Sequence, residues 1–216
     1  MIEDFDLLIT IGYSSYYTPF IFVIILLLKN HSKRSSYERL LFFYIIYNGL
    51  AAALEQFILN GRINNFNPLY NILTIIDFCT IIAIFTKILQ EADKKLLKML
   101  KFLILIYPIF SIAELLFVND LFSINTYSNN LFKFLIIIIA SISIYLSEIK
   151  INIPKSQKIF TYSIFIYCIL TLPITLFEQF LRLKVSNYLY IIWSLNILFA
   201  ILYNLSLTLA LWKWKK

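Results

Sequence analysis

The chain has 216 residues, of which 61 % are hydrophobic and only 14 % charged, and its formal net charge is +7. A soluble domain usually has about 25 % charged residues, because they must cover its surface. The composition therefore excludes an ordinary soluble domain, and the short connections between the apolar runs leave no room for a separate catalytic or nucleic-acid-binding domain.

Seven apolar runs follow one another along the chain, each long enough to cross a bilayer. About 20 apolar residues at a rise of about 1.5 Å match a hydrocarbon core of roughly 30 Å. The runs lack the alternation of barrel strands and are about twice as long, so they predict helices. We therefore expect an all-α polytopic membrane protein, a single seven-helix transmembrane bundle over residues 1–216, with spans at about 7–28, 39–59, 68–89, 99–118, 128–147, 159–181 and 188–211.

The cations lie almost wholly on alternate connections. All but four of the 19 Lys and Arg residues flank the first, third or fifth connection or the C-terminus. The opposite side has an acidic N-terminal segment and only Arg62, Lys133, Arg182 and Lys184. The positive-inside rule then predicts an N-terminus outside and a C-terminus in the cytoplasm. Topology and contacts with anionic lipid explain the positive charge, and nucleic acid is not an expected partner.

Four carboxyl groups lie inside the predicted spans, where each costs several kcal/mol unless it is paired, hydrated or protonated. In chain order they are Glu55, Asp77, Glu114 and Glu178, and the predicted topology places all four in the outer half of the membrane. Asp77 is the deepest, and no cation lies within one helical turn of it. Glu178 has Arg182 four residues later, so a structural ion pair explains both.

Helical spacing places these acids on polar stripes. Tyr70, Thr74 and Asp77 share one face of the third helix, and Asn196 lies on a similar face of the seventh. One interpretation is an acid-lined cavity that binds a ligand or an ion, with the candidate residues Asp77, Glu55, Glu114, Asn196 and Tyr70. The other is that these groups only make hydrogen bonds between helices. The sequence leaves both open.

Several chemistries are excluded by residue type. The one histidine, His31, lies in a basic connection, so neither a zinc hydrolase nor a Ser–His protease fits. Asp77 is the only aspartate in a span, which excludes an aspartate pair. Cys79 and Cys168 lie within spans and are expected to be small apolar side chains. We expect no catalytic residue, no metal and no cofactor.

A loose set of motifs extends over most of the chain. It comprises Pro19 followed by a basic connection, Leu54-Glu55, Ile76-Asp77-Phe78, and the C-terminal pattern of Trp193, Asn196, Asn204 and Ala210-Leu211-Trp212. With these motifs the chain resembles a family of small bacterial seven-helix inner-membrane proteins of uncharacterised function, and it is similar to membrane modules found ahead of sensor kinases. The resemblance implies a cytoplasmic-membrane location and a sensory or complex-forming role. It implies no catalytic residue.

The sequence therefore predicts a multi-pass protein of the bacterial cytoplasmic (inner) membrane that is not an enzyme. It would be a sensory or ligand-binding module or a subunit of a membrane complex, in contact with the lipid bilayer and with a membrane-protein partner or a second copy of itself. The competing hypothesis is a small proton- or cation-coupled transporter. In that case helices one to three and five to seven would form parallel repeats joined by helix four, a 3+1+3 arrangement.

Overall fold

The structure is a computed structural model that describes residues 2–29, 35–60, 67–90, 94–118, 126–149, 153–184 and 186–213. These described residues form seven helices and no strand: α1 Ile2–Lys29, α2 Ser36–Asn60, α3 Asn67–Ile88, α4 Lys94–Phe117, α5 Thr126–Ile149, α6 Lys155–Lys184 and α7 Ser186–Lys213. Every helix begins before the span that the sequence predicts for it. The all-α fold class is confirmed.

Five of the described helices contain a stretch that is long and apolar enough to cross a membrane. These stretches are Pro68–Ile88, Lys94–Phe117, Thr126–Ile149, Lys155–Phe177 and Ser194–Leu211, in α3 to α7. In a soluble protein of this size, most of the surface of these apolar helices would face water. Soluble proteins rarely expose apolar patches of that size. The chain is therefore a membrane-embedded helical protein.

The helices form a closed ring in chain order. Each packs against the next one in the sequence, α7 packs back against α1, and α3 also contacts α5 across the ring. At one end of the bundle α4 and α6 end while α3 and α5 begin; we call it the Glu114 end, after an acid of α4. At the opposite end, called here the Leu89 end, α3 finishes and α4 starts.

Two glycines set the closest approaches of α1 to its neighbours. A Cβ atom on Gly12 would lie 2.6 Å from the side chain of Ile197 in α7. A Cβ atom on Gly49 of α2 would lie 2.7 Å from the ring of Phe20. Small residues permit such close packing of membrane helices, in which dispersion contacts replace the hydrophobic effect as the source of association.

Capping and proline chemistry explain local features of the helices. Ser35 and Glu38 form a capping box before α2: the Ser35 N–H donates to Glu38 Oε2 at 2.7 Å, and the Glu38 N–H donates to Ser35 Oγ at 3.3 Å. Pro108 inside α4 has no N–H for the carbonyl of Ile104, four residues earlier. The Cys79 thiol of α3 donates to that carbonyl at 3.7 Å, so a neighbouring helix satisfies it.

The bundle has polar groups inside and apolar groups outside. On α4, Leu105 and Ile109 are 68 % and 67 % exposed, whereas Ser111 and Glu114 are buried. Large apolar side chains fill most of the interior toward the Leu89 end, although Ser143, Ser156 and Thr161 are also buried there. Fully buried there are Leu41, Ile82, Phe85, Leu89, Leu100 and Phe160. The fold thus confines the buried acids to one half of the bundle.

Candidate functional site

Asp77 lies on the inside of α3, where α2, α4 and α7 approach it. The side chain of Asn48 in α2 is its hydrogen-bonding neighbour. The hydroxyls of Tyr44 in α2, Tyr107 in α4 and Tyr203 in α7 are close enough to interact electrostatically with its carboxyl group. Four phenol and amide groups from three helices thus surround one carboxyl group.

Two of these tyrosines meet directly. The hydroxyls of Tyr44 and Tyr203 lie 3.1 Å apart, and both side chains are buried. The ring of Tyr203 stacks on that of Tyr167 in α6, with ring centroids 4.8 Å apart. The Tyr44 ring also packs edge-on against Phe160, which belongs to the apolar interior toward the Leu89 end. We call Tyr44, Asn48, Asp77 and Tyr203 the Asp77 cluster.

One oxygen atom of the cluster has no hydrogen-bond donor among the described residues. Asp77 Oδ1 is buried and accepts no hydrogen bond from any residue that the structure describes. Asn130 Oδ1 and Asn196 Oδ1 are also buried and accept no hydrogen bond from the described residues. A buried acceptor without a donor costs about 1–3 kcal/mol. Such atoms are rare in folded proteins, and each one requires an explanation.

Asn196 lies on the same face of α7 as Tyr203, which is a member of the Asp77 cluster. It precedes Tyr203 by seven residues on α7, which places it on the same side of that helix about 10 Å nearer the Glu114 end. The Asn196 and Asp77 oxygens are thus two buried acceptors that line the polar half of the interior. Both were predicted as ligand-binding residues.

Glu114 has a different role from Asp77, because both of its oxygens have donors. Oε1 accepts the backbone N–H of Tyr127 at 3.0 Å, and Oε2 accepts the backbone N–H of Ser128 at 2.6 Å together with the Ser128 hydroxyl. These N–H groups belong to the first turn of α5, which has no intrahelical acceptors for them. The carboxyl group is therefore an N-terminal cap for α5, in a position that the helix dipole also favours.

Tyr70 lies between the two acids. Its hydroxyl accepts a hydrogen bond from the Asn129 amide of α5 at 3.4 Å. It also lies close enough to the hydroxyls of Tyr107 and Tyr167 to interact with them electrostatically. Tyr70 thus connects α3 to α4, α5 and α6 near the Glu114 end.

Lys133 is a buried cation that the sequence reasoning missed. It was counted with the cations outside the bundle, although the predicted fifth span, 128–147, already contained it. In the structure it is 7 % exposed. Its ammonium group donates to the Thr171 carbonyl at 3.4 Å and to the Thr175 hydroxyl at 3.3 Å, both in α6. An ionisable residue inside a membrane bundle is by default a functional candidate.

A cavity of about 240 Å³ lies between α6 and α7. Tyr167 and Tyr203 line it on the side of the bundle interior. Ile166 and Leu202, which also line it, are 53 % and 52 % exposed, so the cavity opens at the perimeter of the bundle. Tyr203 is therefore shared by this cavity and by the surroundings of Asp77.

The predicted candidate residues have different outcomes. Asp77 and Asn196 have buried oxygens without a donor among the described residues. Tyr70 makes an interhelical hydrogen bond, and Glu114 caps α5. The side chain of Glu55 lies outside the described part of the structure, as do those of the predicted ion pair, Glu178 and Arg182. Among the described side chains, no group of three His, Cys, Asp or Glu residues could hold a metal ion.

The residues around Asp77 are difficult to predict from the sequence. Tyr167 and Tyr203 lie on polar stripes of helices six and seven, but tyrosine is frequent in this chain, with 15 copies. Their stacking depends on the packing of α6 against α7, which the spacing along one helix does not reveal. Comparison of the chain with protein-family models, with curated proteins and with solved structures gives no match.

Proposed function

We propose that this chain is a ligand-binding membrane protein that is not an enzyme, and that Asp77 is its central binding residue. The observation that carries the proposal is the buried Asp77 Oδ1 atom, which has no donor among the described residues. A ligand that donates a hydrogen bond or carries a positive charge would recover the cost of that buried acceptor.

The contrast with Glu114 supports this assignment. A carboxyl group that only stabilises the bundle should have its oxygens satisfied by the protein, and Glu114 has donors on both. Asp77 has Asn48 and tyrosine hydroxyls near it, but none of the described residues donates a hydrogen bond to Oδ1. The two acids occupy the same half of one bundle, with Asp77 the deeper of the two.

The packing beyond the Asp77 cluster favours binding over transport. A transporter needs a polar path on both sides of its site. Toward the Leu89 end, the interior holds the fully buried side chains of Ile82, Phe85 and Phe160. Closely packed large apolar side chains on one side of the site fit a receptor better than a cation-coupled transporter with a 3+1+3 arrangement.

The cellular setting follows from the charge pattern. We infer seven membrane spans in the bacterial inner membrane, with the N-terminus outside and the C-terminus in the cytoplasm, because all but four of the 19 cations lie on one side. The Asp77 cluster then faces the outer half of the membrane. The chain would act as a sensory module or as the binding subunit of a membrane complex, in line with the family resemblance, and a partner protein or second copy would provide the output.

Thermal unfolding of the purified chain in lipid nanodiscs tests the proposal. We would screen a panel of amines, zwitterions, sugars and neutral amides against wild type, Asp77→Asn and Asp77→Leu. A compound at about 100 times its dissociation constant stabilises the folded state by about 2.7 kcal/mol. We expect at least one class of donor-bearing compound to raise the unfolding temperature of wild type, and this increase to disappear in Asp77→Asn, which keeps the shape of the side chain.

Glu148→Gln is the matched control, because Glu148 is an exposed acid that pairs with Lys158 at 3.2 Å. It should keep the full ligand-dependent increase. The proposal fails if no compound in the panel stabilises wild type. It also fails if Asp77→Asn retains the full increase while Asp77→Leu alone unfolds, because Asp77 is then only an interhelical hydrogen-bonding group.

A further inference from the structure

We infer that the ligand is an amphiphilic amine that reaches Asp77 from the bilayer, with its positive head group at Oδ1 and its apolar part in the cavity between α6 and α7. The inference rests on the proposed function, because it assigns a ligand class to the same site. Two separate features carry it, namely the unpartnered carboxyl oxygen and the apolar cavity that meets the same tyrosine.

The cavity suits the apolar part of a ligand and not its head group. Ser163 and Ser206 supply hydroxyls to its lining, but each already donates to a carbonyl of its own helix, at 2.6 and 2.8 Å. Such bonds leave little capacity for a ligand. An apolar cavity of about 150 Å³ holds a benzene molecule, whereas sites for whole drug-sized ligands are about 300–1,000 Å³. A cavity of about 240 Å³ therefore fits a short alkyl chain or a ring system.

The cavity opens to acyl chains and not to water. Its exposed lining residues Ile166 and Leu202 lie near the middle of the membrane-spanning stretches Lys155–Phe177 and Ser194–Leu211. A compound that is dissolved in the bilayer therefore meets this opening directly. A purely polar ligand would have no reason to pass through it.

The Asp77 cluster suits a cationic head group. Charge-assisted hydrogen bonds to a carboxylate are about twice as strong as bonds between neutral groups. The surrounding tyrosines add aromatic faces, which attract ammonium and quaternary ammonium groups. A metal ion is a poorer match, because the described side chains offer no group of three metal-binding residues.

Tyr203 joins the two features. It lines the cavity, its hydroxyl lies 3.1 Å from that of Tyr44, and it interacts electrostatically with Asp77. Its ring stacks on that of Tyr167, which also lines the cavity. For one ligand to occupy both places, Tyr203 would have to move aside and open the cavity toward Oδ1.

Equilibrium binding of radiolabelled decylammonium to the full chain in nanodiscs tests the inference, with methylammonium as the head group alone and empty nanodiscs as the baseline. Both cations have N–H groups that can donate to Asp77 Oδ1. Chain length by itself is no evidence, because longer chains partition more strongly into any bilayer. The informative variants are Asp77→Asn, which removes the charge, and Ser163→Phe, which fills the cavity. We expect each to weaken decylammonium binding by about tenfold or more.

Ser141→Phe is the matched control for the cavity-filling variant. Ser141 is an exposed serine of α5 that donates to the carbonyl four residues earlier at 2.7 Å, as Ser163 does in α6, and it does not line the cavity. Binding should be unchanged in Ser141→Phe. Methylammonium binding should depend on Asp77 and be unchanged in Ser163→Phe.

The outcomes separate this inference from the proposed function. If the binding of both cations requires Asp77 and Ser163→Phe changes the binding of neither, the proposed binding site is supported and the assignment of the cavity is wrong. If Ser163→Phe weakens binding but Asp77→Asn does not, the cavity binds apolar chains without Asp77, and the inference is wrong. If neither cation binds saturably, the ligand class is wrong, and the zwitterions and neutral compounds of the unfolding screen decide the proposed function.

Discussion

The hydroxyl of Tyr44 in α2 lies 3.1 Å from the hydroxyl of Tyr203 in α7, inside the bundle and within electrostatic range of Asp77. This contact joins two helices that are far apart in the sequence. The Tyr44 ring also packs edge-on against Phe160 of α6. Tyr44 thus contacts both α6 and α7 beside Asp77.

A double-mutant cycle measures the Tyr44–Tyr203 contact. Tyr44→Phe and Tyr203→Phe each leave the other buried hydroxyl without this partner, so each should lower the free energy of unfolding by about 1–3 kcal/mol. The double variant should lose less than the sum of the two, because it leaves no orphaned hydroxyl. Tyr145→Phe, on a tyrosine that is 62 % exposed, should change little. Additive effects would mean that the two hydroxyls do not interact.

Glu114 should be important for stability and not for ligand binding. Glu114→Gln places an NH₂ group against N–H groups of α5, so one of the two caps is lost. We expect a loss of about 1–3 kcal/mol in the free energy of unfolding, measured by denaturant in bicelles. The exposed acid variant Glu148→Gln should lose less than about 1 kcal/mol. Equal effects of the two substitutions would contradict the capping role.

Lys133 provides a test of the buried polar contacts between α5 and α6. Lys133→Met keeps much of the length of the side chain but removes the donor to the Thr175 hydroxyl and the Thr171 carbonyl. The expected loss is about 1–3 kcal/mol in the free energy of unfolding. Lys98→Met, on an exposed lysine of α4, should be close to neutral. If Lys133→Met is as stable as wild type, the ammonium group does not lie where the structure places it.

Reporter fusions test the orientation of the chain in the membrane. We expect a C-terminal reporter that works only in the cytoplasm to be active, and one that works only in the periplasm to be inactive, because the basic connections should stay inside. The reverse pattern would place the Asp77 cluster in the inner half of the membrane. It would also overturn the inferred orientation of the seven spans.

The sequence predicts the fold class well because apolar runs of bilayer length have few alternatives to a helix. It also finds Asp77, since an isolated carboxyl group in an apolar run is conspicuous. It does not separate Asp77 from Glu114, because the cap of Glu114 depends on where α5 begins in space. The structure makes the distinction through two backbone N–H groups.

Lys133 shows a second limit of the sequence. A cation five residues inside a predicted span can extend its side chain to the membrane surface or turn into the bundle, and the charge count is the same in both cases. The packing of α5 against α6 decides between them by providing a hydroxyl and a carbonyl within reach. Polar stripes similarly reveal Tyr167 and Tyr203 only as inward-facing candidates, not as neighbours of Asp77.

An experimental structure of the chain in lipid, determined with and without a compound that stabilises it, tests the central claim most directly. The account predicts that a donor group of the ligand lies about 2.7–3.2 Å from Asp77 Oδ1, while the two oxygens of Glu114 stay on the first turn of α5. The contradictory result is an Asp77 carboxyl group whose two oxygens are both bonded to protein side chains, with the compound bound elsewhere.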